Sequence, residues 1–506
     1  MQETQRAVKT YENYIDGEWV AASSGETYET RDPASTGEIV GRYPLSPAED
    51  VDRAVEAAHR AFQEWRDVPA PERMEYVHGL IEIWRRRSEE LAEAVTLEMG
   101  KPIREARTEV ERGIGEMQFT AGEALRVGGE TLPSGRRDLL AYTVREPIGV
   151  VAAVTPWNFP VLSPIRKTIP ALVHGCTVVL KPASLTPLTS VIIVEMLQEA
   201  GVPAGVVNLV IGRGGEVGDA LVTHPRVNGI TFTGSTEVGL GIYEKAAPGN
   251  KKVQLEMGGK NGCVVAHCKD PNNAAAQIVA AAYQASGQRC TAISRVIVLE
   301  EQREELEDAL VEATKKLKVG RGLDEETTMG PLSSRNQLQR SIHYVDLAQR
   351  DGARVLLGGK EPTGDAFAQG HYYEPTILTD VKSGTPAALD EIFGPVLVVT
   401  PVKDFKEALE VHNEVRYGLT SSIFTDDMDF AQAFVRGSEA GMVHVNNGTV
   451  SEGHMPFGGV KQSGIGAYGI GATNQEFFTN LKVVYHQHGE ESRPPVRRLL
   501  AEEDSA

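Results

Sequence analysis

Cysteine is scarce in this chain. Its 506 residues hold four, Cys176, Cys263, Cys268 and Cys290, too few for a disulfide scaffold. Positive charge is also in deficit. Lys and Arg total 51 against 70 Asp and Glu, a net charge of −19. That balance argues against nonspecific nucleic-acid binding and says little about a small substrate. No apolar run approaches a membrane span, and residues 1–20 carry charges throughout with no apolar h-region, so neither a membrane anchor nor a signal peptide is expected. Metal motifs are missing too. There is no H-E-x-x-H, and Cys263 and Cys268 stand an odd number of positions apart in a strand-like run, which would face them oppositely. A reducing cytoplasm, in which a free thiol survives, is the expected compartment.

What is there centres on two stretches, Gly287-Gln288-Arg289-Cys290 and Leu255-Glu256-Met257-Gly258-Gly259-Lys260. A cysteine that loses its proton is a strong nucleophile. Gly287 allows close backbone approach, and Arg289 sets a positive charge beside the thiol. Glu256 lies between an apolar strand-like run and a Gly-Gly turn, where a strand end delivers a side chain into a cleft. A lone cysteine is more often a small buried hydrophobe, and Cys176 and Cys263, in apolar runs, fit that role.

The length calls for two or three domains. Residues 11–43 read as short strands and turns. Ser46, Pro47 and Glu49 form the signature of a helix start, with Ser46 as N-cap and Glu49 closing a capping box. Val51, Val55, Ala58, Phe62 and Trp65 then recur at helical spacing. Residues 71–126 continue as amphipathic helices whose charge runs, such as Arg85-Arg86-Arg87, read as solvated faces. A β-rich excursion over 127–146 follows. Val150–Val154, Cys176–Leu180, Val206–Ile211 and Ile230–Thr233 then read as buried strands separated by helices, the pattern of a doubly wound α/β unit. Alternation restarts near residue 259, with strands at Val264-Val265, Ile293–Leu299 and Val396–Thr400 and helices at Asn272–Ala285, Gln302–Leu317 and Phe405–Val411. Residues 475–487 read as a closing strand.

Further stretches carry chemistry. Thr233-Gly234-Ser235-Thr236-Glu237-Val238-Gly239 follows a strand and opens a helix, a geometry that presents N–H groups to a phosphate. It is neither G-x-G-x-x-G nor a P-loop. Thr155-Pro156-Trp157-Asn158-Phe159-Pro160 places an amide at a strand's carboxyl end, where α/β sheets bind ligands and where it would serve as an oxyanion donor. Lys181-Pro182-Ala183-Ser184 ends another strand. Glu391-Ile392-Phe393-Gly394-Pro395 sets a carboxylate and an aromatic before a turn. Taken singly, each is as readily an ordinary turn.

Together they resemble the NAD(P)-dependent aldehyde dehydrogenase superfamily over about residues 11–487. PWNFP, KPA, FTGSTEVG, LEMGGKN, GQRC, EIFGP and PFGGVKQSG stand in that family's order. The resemblance implies an α/β fold with a Rossmann-like cofactor domain (1–126 and 147–258), a second α/β catalytic domain (259–474) and a β oligomerisation arm (127–146 and 475–487) making a homodimer or homotetramer. A disordered tail would cover 488–506. It implies Cys290 as nucleophile, Glu256 as general base, and the Asn158 amide with the Cys290 N–H as oxyanion hole. Thr155, Pro156 and Trp157 would line the cofactor, Lys181 hold its adenosine ribose, Gly234, Ser235 and Gly239 its pyrophosphate, and Glu391 and Phe393 the nicotinamide ribose and ring. No metal is implied.

The cofactor position departs from the family's common pattern. NAD-preferring members carry Glu three residues after the ribose lysine; here Ser184 stands there, removing the repulsion of a 2′-phosphate, so NAD and NADP are both admissible. Arg213, after the third strand, would help bind the phosphate, although a surface role is the commoner one. For the substrate, Ile165-Arg166-Lys167 resembles the succinate-semialdehyde enzymes, whose arginine pairs with the substrate carboxylate, and Ser451 resembles their pocket serine. Gln284 departs from their second arginine, and Arg289-Cys290-Thr291-Ala292 looks more like 2-oxoglutarate-semialdehyde enzymes. An ω-carboxylated aldehyde is the expectation, with Arg166 as a structural ion-pair residue the competing one. A general aliphatic or aromatic aldehyde dehydrogenase, a CoA-acylating enzyme, and a structural recruit of the fold are the alternatives. Glu256 argues against the second and the unbroken catalytic set against the third.

Overall fold

Val150–Val154 is buried at every position and hydrogen-bonds in parallel on both sides, to Thr177–Lys181 and to Val227–Thr233. Only a strand without a solvent face can afford such an unbroken apolar run. The computed structural model describes residues 8–487. The tail expected over 488–506 lies outside the described residues.

The first sheet has eight strands. Its parallel centre runs Val207–Leu209, Thr177–Lys181, Val150–Val154, Val227–Thr233 and Lys252–Glu256. The hairpin Asn13–Ile15/Glu18–Val20 adds antiparallel strands at one end, and Gly464–Ile465 closes the other by pairing with Leu255 and Glu256. The sequence groups that last pair of residues with the second unit; here it covers an edge that would otherwise show unpaired backbone groups. Chain order moves outward from Val150–Val154 in one direction, then jumps back to Val227–Thr233 on its other side. Ligands bind outside the carboxyl ends of strands at such a switch point, and the two loops that leave it are Thr155–Pro160 and Gly234-Ser235.

The second sheet has seven strands, in the spatial order Arg354–Leu357, Thr376–Thr379, Val396–Val402, Ile293–Leu299, Asn261–Val265, Thr420–Phe424, Met442–Val445. All neighbours are parallel except the Arg354–Leu357 edge. A third sheet, Thr131-Leu132, Leu139–Pro147 and Thr479–Gln487, is antiparallel and carries exposed Leu132, Leu481, Val483 and Tyr485.

Helix Ala48–Trp65 buries Val51, Ala54, Val55, Ala58, Phe62 and Trp65, an apolar stripe at helical period. Its start differs from expectation. Pro47 takes the cap position with no side-chain cap bond, because the Ser46 hydroxyl instead accepts from Asn13 Nδ2 at 2.8 Å. Cys268 lies past the end of strand Asn261–Val265, so the strand alternation applied to it does not operate. Cys176 and Cys263 are buried.

Candidate active site

Helix Pro271–Tyr283 ends and the chain turns through Ala285, Ser286 and Gly287, with φ of 53°, 56° and 72°. Left-handed residues other than glycine cost of the order of 1–3 kcal/mol each, and buried partners hold them here. Glu105 accepts the Ala285 N–H at 2.8 Å, and Ser286 Oγ donates to Gly330 O at 2.8 Å. At Gly287 a Cβ would stand 2.2 Å from Gly394 O, so only glycine lets the two backbones meet. This elbow delivers Cys290, whose carbonyl accepts from Asn261 Nδ2 at 2.7 Å and whose side chain packs on the cluster of Leu419, Phe457 and Ile470.

Asn158 faces the elbow from the first sheet. Its Nδ2 donates to Gln288 O at 2.9 Å, which spends one amide hydrogen on orienting the group and leaves the other for an incoming oxygen. The loop is braced from behind by two fully buried charges. Lys101 Nζ pairs with Glu109 Oε2 at 2.5 Å and donates to Asn158 O at 3.1 Å. Glu109 Oε1 accepts the N–H groups of Val161 and Leu162 at 3.0 and 3.1 Å.

Glu256 ends strand Lys252–Glu256 and is buried. Oε1 takes a long 3.4 Å contact from the Gly469 N–H, and Oε2 has no partner. Burial pushes its carboxyl well above the ordinary range, against the charges of Lys167 and Arg166; burial likewise pushes the Lys167 ammonium down. An under-bonded buried carboxylate with a raised pKa is suited to taking a proton from water. The Cys290 thiol is pushed up to about 12, first by burial and then by Glu391 and Glu256, against Arg289 and Arg166. The positive charge beside the thiol is therefore present but outweighed, and the sulfur rests as a neutral thiol.

A cleft runs from Cys290 and Asn158 past Pro156, Trp157, Met257 and Glu391 to Gly234 and Ser235. Ser235 caps helix Thr236–Ala246, accepting from Val238 N at 3.4 Å, so the helix N-terminus opens on the cleft. Glu391 Oε1 accepts the Gly259 N–H at 2.9 Å, and a Cβ on Gly258 would strike its other oxygen at 2.4 Å. Burial lifts its carboxyl to about 7. Phe393, at φ 60°, stands edge-on to Trp157 with ring centroids 5.4 Å apart. A glycine-lined cradle, a helix N-terminus and an inward carboxylate fit a nicotinamide dinucleotide. Lys181 and Ser184 lie off this cleft. Lys181 Nζ, buried and pushed down to about 8 by that burial, donates to Pro182 O at 2.9 Å. Ser184 Oγ donates to Gly212 O at 3.0 Å. The Thr155 N–H donates to Lys181 O at 3.1 Å, tying the two strand ends together, and the Gly239 N–H donates within its helix to Ser235 O. Arg213 is exposed.

On the other side of Cys290 the expected substrate residues do meet, through residues not read from the sequence. Arg166 Nε and Nη2 reach the two oxygens of Glu116 at 2.7 and 2.6 Å. Arg112 Nε reaches Glu116 Oε1 at 2.9 Å, and its Nη2 donates to Ser451 Oγ at 2.9 Å. Burial works against ionising Glu116, but Arg166 and Arg112 outweigh it and hold the carboxyl below its ordinary value. Helix Ile103–Glu123 supplies Glu105, Glu109, Arg112 and Glu116, charges read as a solvated face. Glu109 and Glu116 in fact lie on the stripe that carries Ala106, Val110, Gly113 and Met117. Charges at apolar-stripe spacing were the available signal.

The profile of the Aldehyde dehydrogenase family matches residues 19–484. The chain is 42% identical over 477 residues to the alpha-ketoglutaric semialdehyde dehydrogenase of Bacillus subtilis, covering 94% of this chain and 98% of that one. Among solved structures, betaine aldehyde dehydrogenase from Staphylococcus aureus in complex with NAD+ superposes with a TM-score of 0.92 at 34% identity, covering 95% of this chain and 96% of that one. An E. coli NADP dependent enzyme superposes equally well, at a TM-score of 0.92 and 34% identity over 94% of this chain and 98% of that one.

Proposed function

This chain belongs to the aldehyde dehydrogenase family, and we propose that it oxidises an ω-carboxylated semialdehyde, such as 2-oxoglutarate or succinate semialdehyde, to the acid with NAD or NADP. Oxidation of an aldehyde with NAD(P) is the family's activity. The finer reading, the carboxylated substrate, is carried by one observation: Arg112 and Arg166 share the single carboxylate of Glu116, which leaves the substrate side of Cys290 net positive. The B. subtilis relative's name supports the same class. Solved relatives with NAD+ and with NADP support either cofactor.

Cys290 Sγ attacks the aldehyde carbon as the thiolate, its proton passing to solvent water. The carbonyl electrons move to oxygen, where the free Asn158 amide hydrogen and the Cys290 N–H donate to it. A nicotinamide bound in the cleft supplies the hydride acceptor. Gly234, Ser235 and the helix behind them would hold its pyrophosphate, Lys181 and Ser184 its adenosine ribose, and Glu391, Phe393 and Trp157 its nicotinamide end, with Thr155, Pro156 and Gly239 shaping the backbone. The thioester left on Cys290 is opened by water deprotonated by Glu256, which releases the acid.

The eight-stranded sheet forms the cofactor half and the seven-stranded sheet the nucleophile half. The exposed apolar residues of the three-stranded arm support a homodimer or homotetramer. Free Cys268 and Cys290, neither fully buried, support a reducing cytoplasm. Among the described residues no helix is long and apolar enough to cross a membrane.

The test is initial rates of NADH and NADPH formation with succinate semialdehyde, 2-oxoglutarate semialdehyde, propanal and benzaldehyde. Carboxylated substrates should lead in kcat/KM. A lead by propanal or benzaldehyde would replace this reading with a general aldehyde dehydrogenase. Acyl-CoA formation on adding CoA would replace hydrolysis with acyl transfer.

A further inference from the structure

Lys101 and Glu109 are each 3% exposed and form an ion pair beside the start of helix Ile103–Glu123. A buried ion pair is weak support for stability, since apolar residues of similar volume often serve as well or better. The other partners of this pair point to a different role, because they fall on one short stretch. Lys101 Nζ donates to Asn158 O at 3.1 Å and stands 4.1 Å from the centre of the Phe159 ring. Glu109 Oε1 accepts the N–H groups of Val161 and Leu162 at 3.0 and 3.1 Å. The loop that carries the Asn158 amide is thus held at both ends, by a cation on a carbonyl and by an anion on two N–H groups. Hydrogen bonds with one ionised partner are the stronger class.

The same helix reaches the nucleophile. Glu105 lies four residues before Glu109, about 6 Å along the axis and on the same side of the helix. Its Oε2 accepts the Ala285 N–H at 2.8 Å, and Ala285 opens the left-handed stretch that leads to Cys290. The oxyanion loop leaves the first sheet and the elbow leaves helix Pro271–Tyr283, so neither carrier fixes the other by chain continuity. Helix Ile103–Glu123 grips both. The direct tie from Asn158 Nδ2 to Gln288 O at 2.9 Å sets how the amide is turned, and the helix sets how far apart the two carriers stand.

We propose that Lys101, Glu105 and Glu109 are positioning residues for the oxyanion step, setting the separation at which the Asn158 amide and the Cys290 N–H meet the same oxygen. Each acts through a backbone group of the loop or the elbow, and not on the reacting atoms. Donors aimed at a developing oxyanion work within a narrow range of positions, and a misplacement of about 1 Å costs about 10²-fold in rate. The inference rests on the reading of Asn158 as an oxyanion donor.

The experiment is a pair of double-mutant cycles on kcat and KM, with succinate semialdehyde and propanal as substrates. Lys101→Met combined with Glu109→Gln removes both charges of the pair together, and Glu105→Leu removes the acceptor at the elbow. Each is measured in the wild type and in Asn158→Ala. In the wild type each should lower kcat about 10–100-fold and leave KM within about threefold. In Asn158→Ala each should add less than about a threefold loss, because the donor it places is gone. A general loss of folded protein would instead multiply with the loss in Asn158→Ala. Multiplicative effects therefore overturn the assignment and leave the oxyanion reading intact. An Asn158→Ala protein with wild-type kcat overturns that reading and this assignment with it. Glu105→Gln, whose amide oxygen still accepts the Ala285 N–H, should recover most of the loss seen in Glu105→Leu; no recovery overturns the part given to Glu105. Should the neutralised pair not fold, Glu109→Asp keeps both charges and draws the carboxylate back by one methylene. It should lower kcat about tenfold in the wild type and not in Asn158→Ala. Equal losses in the two backgrounds, or none in either, overturn the proposal.

Discussion

The two walls that meet at Cys290 are built by different means. The proposed cofactor wall is backbone: strand ends, the Ser235-capped helix, and glycines that admit Glu391 to the Gly259 N–H. Its groups sit in short contiguous stretches. The proposed substrate wall is side chain: Arg112, Glu116, Arg166 and Ser451 come from three separate parts of the chain and hold one another by ion pairs and a hydrogen bond. A wall of backbone is set by the fold itself. A wall of side chains can be re-sorted by single substitutions, so it is where specificity is free to vary.

The largest effect should come where the walls join. Cys290→Ala should remove NAD(P)H formation by more than about 10⁴-fold, together with hydrolysis of activated esters; esterase activity retained in that protein would show that neither wall serves this sulfur. Glu256→Gln should cost about 10²–10⁴-fold in steady-state kcat, and a stopped-flow trace should show a burst of NAD(P)H followed by a near-arrest. The wild-type rate should also fall as pH drops through a pKa well above the ordinary carboxylate value, since a base works only unprotonated and burial has raised this one. A limb at the ordinary value would disconnect Glu256 from the profile. Asn158→Ala, on the backbone wall, should lower kcat about 10²–10³-fold with little change in KM.

The substrate wall is tested next through its stability. Glu116→Gln leaves two arginines around a neutral amide and should cost about 3–5 kcal/mol of unfolding free energy. The sign of its pH dependence follows from the folded pKa lying below the ordinary 4.5. The contribution is present above the unfolded value and is lost as pH falls through the folded one. Urea midpoints of variant and wild type should therefore converge toward low pH; a gap that stays constant would mean the ion pairs are not its source. The smallest effect belongs to the cofactor wall. Ser184→Glu should shift the NADP to NAD ratio of kcat/KM toward NAD by about tenfold, the scale of one repulsive contact. An unmoved ratio would place the discriminating residue elsewhere.

The stretches of the proposed cofactor wall stand out in the sequence because their residues lie together along the chain. Thr155–Asn158, Gly234-Ser235 and Glu391–Phe393 each combine a strand end with a turn, and turn residues act within a few positions of themselves. The strands at Val150–Val154 and Val227–Thr233 announced themselves as apolar runs. The helix cap at Ser46 was misread because its hydroxyl bonds Asn13, 33 positions away, and local pattern cannot register such a partner. Helix Ile103–Glu123 was misjudged for the same reason. Its charges look solvated until the first sheet and the nucleophile elbow close over them.

By itself the sequence determined the order of strands and helices and singled out Cys290, Glu256 and Asn158 as candidates, because each depends on periodicity or on residues held by their own neighbours. Only the tertiary structure decided which charges would face one another across the substrate wall. It set Glu116 between Arg112 and Arg166, and left Arg289 buried with no carboxylate at ion-pair distance among the described residues. Burial multiplies the worth of a charge and of its partner, and burial is a property of the folded packing that no local spacing records.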